Sequence, residues 1–281
     1  MAFPAGSPVM TLFETTGHVL LRVTLGGGEV TVRPGDDGRV EVELVPLRDN
    51  DVTRRAIAEA RVELTDRRDG HEVAVTLPRQ TAFRGRRGAR VGVTVRCPRG
   101  SDLALRTDSA SLDATGPLGA VDVKTASGEV SLEDAASLAV ETASGDVRVR
   151  DVTRTLDLRT ASGDAAIRRC GGPLSAKLVS GNLSVGDAAA GVAVTTVSGD
   201  LRVEAAGGGA IRVQSVSGDV ELAIKPGQRL YVDASSVSGT MSSELGLDQA
   251  PPAGSTEPVR ELRVRTVSGD LKIVRAKAAG A

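Results

Sequence analysis

Apolar and polar residues alternate in short runs along almost the whole chain, and the runs come in pairs. Leu138-Ala-Val-Glu-Thr142 is followed, across Ala143-Ser-Gly-Asp146, by Val147-Arg-Val149. The same pairing joins Val121/Val123/Thr125 to Val130/Leu132, Val192/Val194/Thr196 to Leu201/Val203, and Leu262/Val264/Thr266 to Leu271/Ile273. Period-2 alternation rich in Val, Leu and Thr predicts strands with one buried face. The Ser-Gly between the two runs predicts a turn, with glycine free to take positive φ. Three residues past the second run stands a column of small apolar residues, Ala135, Val152, Cys170, Ala188 and Ala206, which suits side chains tucked under the return turn.

The pairs recur at a nearly fixed period. The central serines are Ser109, Ser127, Ser144, Ser162, Ser180, Ser198, Ser217, Ser238 and Ser268, so the steps are 18, 17, 18, 18, 18, 19, 21 and 30. A fixed period of this size marks a stacked-repeat architecture. The fold expected is all-β: a parallel β-helix or β-solenoid of about 18-residue coils, with equivalent strands about 4.8 Å apart. An antiparallel β meander, with each Ser-Gly at a hairpin tip, is the alternative. The columns favour the solenoid, because each copy stacked on the previous one keeps equivalent positions equivalent. The longest step adds twelve residues around Leu245 to Val259, as when a coil extrudes a loop.

Ahead of the regular copies, Leu21 to Leu25, Gly26-Gly-Gly28 and Glu29 to Val32 form a variant of the template, and Gly38 to Leu44 a further strand. Asp49-Asn-Asp51 can cap a short helix from about Val52 to Arg61, with Val52, Ala56, Ile57 and Ala60 on one face. Such a helix would plug an open solenoid end, which needs cover because a bare strand edge templates aggregation. Val62 to Leu64 and Glu72 to Leu77 flank Asp69-Gly70, a hairpin signal. A basic loop runs from Pro78 to Arg90, and a strand from there to Cys97. The expected organisation is a tail over 1–10, an N-terminal β-rich capping part over 11–100, solenoid repeats over 101–275 and a second tail over 276–281.

Composition narrows the core. The 281 residues carry a net charge of −1, which gives no global field toward nucleic acid or membrane. There is no Trp, one Tyr (Tyr231) and three Phe, so the core must be Val, Leu, Ile and Ala, as thin coils allow. No apolar run reaches 18 residues, so no spanning helix is expected. The first ten residues lack the basic and apolar regions of a signal peptide, which makes the cytoplasm the expected compartment. Cys97 and Cys170 read as buried thiols. Without Cys-x-x-Cys or paired histidines, no disulfide, metal site or cofactor is expected.

Candidate chemistry is sparse. Glu129, Asp146, Asp164, Asp200, Asp219 and Asp270 form an acidic column, broken by Asn182 and Thr240. It can hold turn amides, bind Ca²⁺ as in glycine-rich β-rolls, or supply an acid–base pair for glycan cleavage. The glycines that Ca²⁺ rolls carry ahead of each Asp are missing. Recurrence in every coil also favours a structural turn over a catalytic site. His18 and His71 stand isolated, and the threonine column (Thr107, Thr125, Thr142, Thr160, Thr196, Thr266) reads as inward hydroxyls capping the turn. Gly26-Gly27-Gly28 lacks the Lys-Ser/Thr and the helix of a phosphate loop. Arg84, Arg86, Arg87 and Arg90 form a basic loop that either stands solvated, the plainer reading, or contacts an anion. With no interleaved aromatic but Phe83, nucleic acid is not an expected partner.

The Ser-Gly-Asp-Val-x-Val units resemble those of a bacterial β-strand-repeat family labelled "putative adhesin", a domain of unknown function. The similarity runs from about Leu12 to Ile273. It implies a right-handed parallel β-helix-like solenoid and carries over no active-site residue. The function expected is a non-enzymatic scaffold or protein-interaction module that binds a protein partner or itself. A carbohydrate-active β-helix enzyme and a Ca-binding β-roll are the alternatives. The surface expected to act is the column just before each Ser-Gly, which reads Ala126, Ala143, Ala161, Val179, Val197, Val216, Val237 and Val267. Strand parity turns it outward, where its five valines would form an apolar stripe of the kind that marks interaction surfaces; a turn that has already begun at this residue would instead fold them into the corner of the coil.

Overall fold

The structure is a computed structural model that describes residues 8–35, 38–78, 88–226, 230–244 and 260–276. The chain divides into two compact units at Arg148/Val149.

The first unit contains β1 (Val9–Glu14), β2 (His18–Leu25), β3 (Gly28–Gly35), β4 (Arg39–Pro46), α1 (Asp51–Ala58), β5 (Arg61–Arg67), β6 (Gly70–Thr76), β7 (Val91–Pro98), β8 (Asp102–Thr107), β9 (Ser111–Thr125) and β10 (Val130–Thr142). The repeat pairing is parallel. Val140 of β10 lies beside Val123 of β9, which lies beside Leu105 of β8, and Val130 of β10 lies beside Leu112 of β9. These registers are those of a solenoid and exclude the meander. The variant template of β2 and β3 is itself a coil, pairing in parallel with β8 and β9 on one side and with β6 and β7 on the other. The parallel stack therefore reaches back to His18.

The outermost coil of this unit, β6 with β7, is closed by antiparallel strands. β5 pairs with β6 through a two-residue hairpin loop, Arg68-Asp69, and β4 pairs with β7 and then with β1. Asn50 caps α1, its side chain accepting the Thr53 amide. The helix is shorter than the expected Val52–Arg61. Its buried residues are Thr53 and Ala56, with Val52, Ile57 and Ala60 half-buried, because Thr53 Oγ1 accepts the Arg90 amide at 3.2 Å and turns that face inward.

The second unit begins within β11 (Val147–Thr160) and continues with β12 (Ala165–Cys170), β13 (Leu174–Ser180), β14 (Leu183–Ala188), β15 (Val192–Ser198), β16 (Leu201–Ala206), β17 (Ile211–Ser217), β18 (Val220–Ile224), β19 (Leu230–Ser238), β20 (Met241–Ser243), β21 (Arg260–Ser268) and β22 (Leu271–Arg275). One row runs β11–β13–β15–β17 and the other β12–β14–β16–β18, all parallel and in register but for one slip between β16 and β18. Alternation decides burial as the pattern predicts. Leu201, Val203, Val220 and Leu222 are buried, whereas Arg202 is exposed. The small column is buried too, from Ala135 to Ala206.

The order of the last two coils departs from the sequence. β21 and β22 pair with β17 and β18, while β19 and β20 pair, among the described residues, only with β21 and β22. The final coil in the chain is thus the penultimate rung, and the coil before it lies outermost. Composition explains the exchange. Leu262, Val264, Leu271 and Ile273 are interior residues with relative exposures of 0–3%. Their counterparts Val232, Ala234, Met241 and Ser243 are smaller or more polar, and β20 is exposed throughout. A terminal repeat needs a solvated outer side, so the weak copy takes the end.

Candidate functional site

The turns between the two rows carry the columns singled out by the sequence, and they come in two forms. In the first unit the threonine hydroxyl accepts the amide three residues on, Thr125 from Gly128 at 2.8 Å and Thr142 from Gly145 at 2.9 Å. In the second unit the hydroxyl donates instead to the serine carbonyl two residues on, Thr160 to Ser162 and Thr196 to Ser198. Gly163, Gly181, Gly199, Gly218, Gly239 and Gly269 there all have positive φ, from 113 to 146°. A β-carbon at Gly199 would also collide with the Gly181 carbonyl one rung away. Conformation and close stacking both fix glycine here.

The left-handed turn aims each acidic side chain at the neighbouring rung. Asp164 Oδ1 accepts the Asn182 amide at 2.8 Å, Asn182 Oδ1 the Asp200 amide at 2.9 Å, and Asp200 Oδ1 the Asp219 amide at 2.9 Å. Asp219 Oδ1 accepts the Asp270 amide and Asp270 Oδ1 the Thr240 amide, both at 2.8 Å. The ladder follows spatial order, including the exchanged last coils. It also accounts for both interruptions. An asparagine carbonyl accepts an amide as a carboxylate does, and Thr240, on the outermost rung, has no further amide to receive. From Asp164 to Thr240 the column is thus a hydrogen-bond ladder, while Glu129 and Asp146 pair with Arg148. No group of His, Cys, Asp or Glu arranged to hold a metal ion occurs among the described residues.

The column before each Ser-Gly is exposed. Val179, Val197, Val216 and Val267 have relative exposures of 52, 47, 48 and 49%, and Val237 reaches 83%. Strand register stacks them one per rung in the order 179, 197, 216, 267, 237. At about 4.8 Å per rung they form a continuous apolar ridge on the second unit. Ala126, Ala143 and Ala161 are exposed as well.

The histidines have partners that spacing did not reveal. His18 Nε2 lies 2.8 Å from Asp102 Oδ2, whose other oxygen accepts the Ala120 amide. His71 Nε2 lies 3.3 Å from Thr16 Oγ1, and its Nδ1 lies 3.1 Å from Asp66 Oδ1. That is a hydroxyl–imidazole–carboxylate sequence, formed because β2 and β6 pair. Asp66 is 89% exposed, so water competes for its bond and weakens the relay a nucleophile needs. Both cysteines are buried, and burial pushes the Cys97 thiol up to about 11 and raises that of Cys170.

Of the basic loop, Arg84, Arg86 and Arg87 lie outside the described residues. Arg90 is exposed and, with Arg48, Leu25, Gly26 and Gly27, lines a cavity of about 500 Å³ in the first unit. The Gly26 carbonyl accepts the Asp108 and Ser109 amides at 3.1 and 2.8 Å, so this glycine turn docks on the next coil's turn. A larger recess of about 890 Å³ lies in the second unit around Lys225.

A Toastrack family model, described as DUF4097, matches residues 20–274, nearly all of the stacked strands. The chain belongs to the Toastrack DUF4097 family. Its Toastrack fold is the solenoid-like array of parallel strands described above. Similar solved structures include a protein titled a "putative adhesin" from Bacteroides fragilis, 11% identical with a TM-score of 0.44, covering 96% of this chain and 99% of that one. Another is titled a "putative lipid binding protein" from Parabacteroides distasonis, 11% identical with a TM-score of 0.46, covering 96% and 98%. Nothing matches among the curated proteins.

Proposed function

We propose that the protein is a non-enzymatic solenoid scaffold that holds a protein partner on the valine ridge of its second unit. The observation behind this reading is the unbroken run of five half- to fully exposed valines, one per rung. Exposed apolar stripes of this regularity mark interaction surfaces. In the second unit the acidic column, the other repeated feature, is occupied in holding neighbouring rungs together, which leaves the ridge as the repeated surface free to bind.

The test is the double substitution Val197→Lys with Val216→Lys. The expected variant keeps the parent's circular dichroism and melting temperature, because both side chains already face solvent. It loses the association that the parent shows by pull-down or light scattering. Unfolding of the double variant, or unchanged association, overturns the reading.

A further inference from the structure

The second unit breaks its own repeat at one place, and the break makes a recess. Between β14 and β16 the corner residues match one for one, with Asp187 beside Ala205 and Ala188 beside Ala206. Between β16 and β18 the register slips. Val203 lies beside Leu222 and Ala206 beside Ile224, so the two residues Glu204 and Ala205 face the single residue Ala223. β22 keeps the shortened corner, with Val274 beside Ala223 and Arg275 beside Ile224. Two successive rungs are therefore cut back by one residue, and a recess of about 890 Å³ opens there. That volume lies within the range of small-molecule sites.

A second break coincides with the first. The position after the small column is Gly171, Ala189 and Gly207 in three coils, whose amides each donate to the preceding rung. In the next coil Lys225 takes that position, its amide bonded to the Ala206 carbonyl at 3.0 Å. Its side chain crosses Gly207, where a β-carbon would sit only 3.0 Å from the lysine Cδ, and its Nζ reaches Asp187 Oδ1 at 2.6 Å. A structural turn repeats from rung to rung, whereas here two features change together, the corner and the lysine, and Gly207 gives the lysine room.

The lining has two characters. Ala205, Ala223, Pro226 and Val274 supply an apolar floor. Around it stand five cations, Arg168, Arg169, Arg202, Lys225 and Arg275, against three anions, Asp187, Glu204 and Glu221. Arg168 and Arg169 share Asp151, Arg202 is held by Glu204 and Glu221, and Lys225 by Asp187. Arg275 is exposed and has no ion-pair partner among the described residues. A local cationic excess in a chain of net charge −1, set over an apolar floor, fits a ligand with an anionic head and an aliphatic body.

We propose that this recess binds a small amphiphilic anion, its head group taken by Arg275 and the neighbouring cations and its chain laid against Ala205, Ala223 and Val274. The site is separate from the valine ridge and does not depend on it. The probes are dodecanoate and dodecyl phosphate, titrated below their micelle concentrations into the full chain by calorimetry. Neutral dodecanol, acetate and inorganic phosphate serve as comparisons. The expected result is saturable binding of one or both amphiphiles, at least tenfold tighter than any of the three comparisons. The preferred head group identifies a carboxylate or a phosphate source. Arg275→Glu is expected to weaken binding at least tenfold while leaving the melting temperature of the free protein unchanged. Ala205→Trp, which fills the recess from its floor, is expected to abolish it. Absence of binding, equal binding of dodecanol, or binding indifferent to both substitutions overturns the proposal.

Discussion

An aspartate in the second unit has one oxygen committed to the next rung's amide, and this sets what substitution can do there. Asp219 is exposed, and its Oδ1 receives the Asp270 amide. Asp219→Asn keeps the acceptor and removes one charge from a column of like charges, as Asn182 already does. Its unfolding free energy is expected to stay within about 0.5 kcal/mol of the parent. Asp219→Ala removes the acceptor and is expected to cost about 1 kcal/mol. Urea denaturation of the two variants measures both, and equal losses would show that the ladder contributes nothing. Cys97 gives a second residue-scale expectation. Its folded-state pKa is raised from 9.0 to about 11 by burial. An acid whose pKa is raised by folding contributes stability that is complete below the unfolded value and lost as pH climbs through the folded value. Stability is therefore expected to decline between about pH 9 and 11, and Cys97→Ala to flatten that decline in a series of melts.

At the scale of the coil, parity governs cost. Leu201 is 2% exposed between Leu183 and Val220, so Leu201→Ala is expected to cost about 2–5 kcal/mol. The adjacent Arg202→Ala is expected to cost under about 0.5 kcal/mol, and comparable losses in chemical denaturation would contradict the assigned faces. This level was the most legible in the sequence, because alternation and an 18-residue period depend only on local pattern. The turn chemistry was half legible. Ser-Gly announced a turn, but Thr142 and Thr196 look alike in sequence while one accepts and the other donates, a difference that arises from the sign of the glycine φ. The valine ridge was visible as a column, although its exposure depended on where each strand ends. Val179 to Val267 lie within strands that continue through the following serine, so parity is not reset before them. The Thr16–His71–Asp66 contact and the recess at Lys225 had no local signal beyond one irregular step, since both are made by which strands become neighbours.

Across the molecule, rung order differs from chain order. The copy at Ser238 is weak in sequence because it forms the end of a stack, yet it precedes a strong copy in the chain. Only the pairing of β21 with both β17 and β19 reveals this. The first unit does the same at its own end, where β2 and β3 sit inside β6 and β7. In both units the outermost rung is supplied from within the chain. Interior rungs should then be interchangeable. Deleting Val179 to Thr196, which joins Leu178 to Val197 and removes one 18-residue coil in register, is expected to leave a cooperatively unfolding protein with a smaller urea m-value. Loss of cooperative unfolding would show that individual coils are not equivalent.

The exchanged coils have a consequence for inheritance. A tandem array usually grows by duplication wherever the copying machinery slips, the last copy included. Here a duplicate appended after Ile273 would have no vacant face to occupy, because that coil is already enclosed by two neighbours. A duplicate arising among the copies from Ser162 to Ser217 would simply add a rung, extending the valine ridge and the aspartate ladder together. Relatives of different length should therefore differ by whole coils in that central stretch, while the two locked ends keep their arrangement.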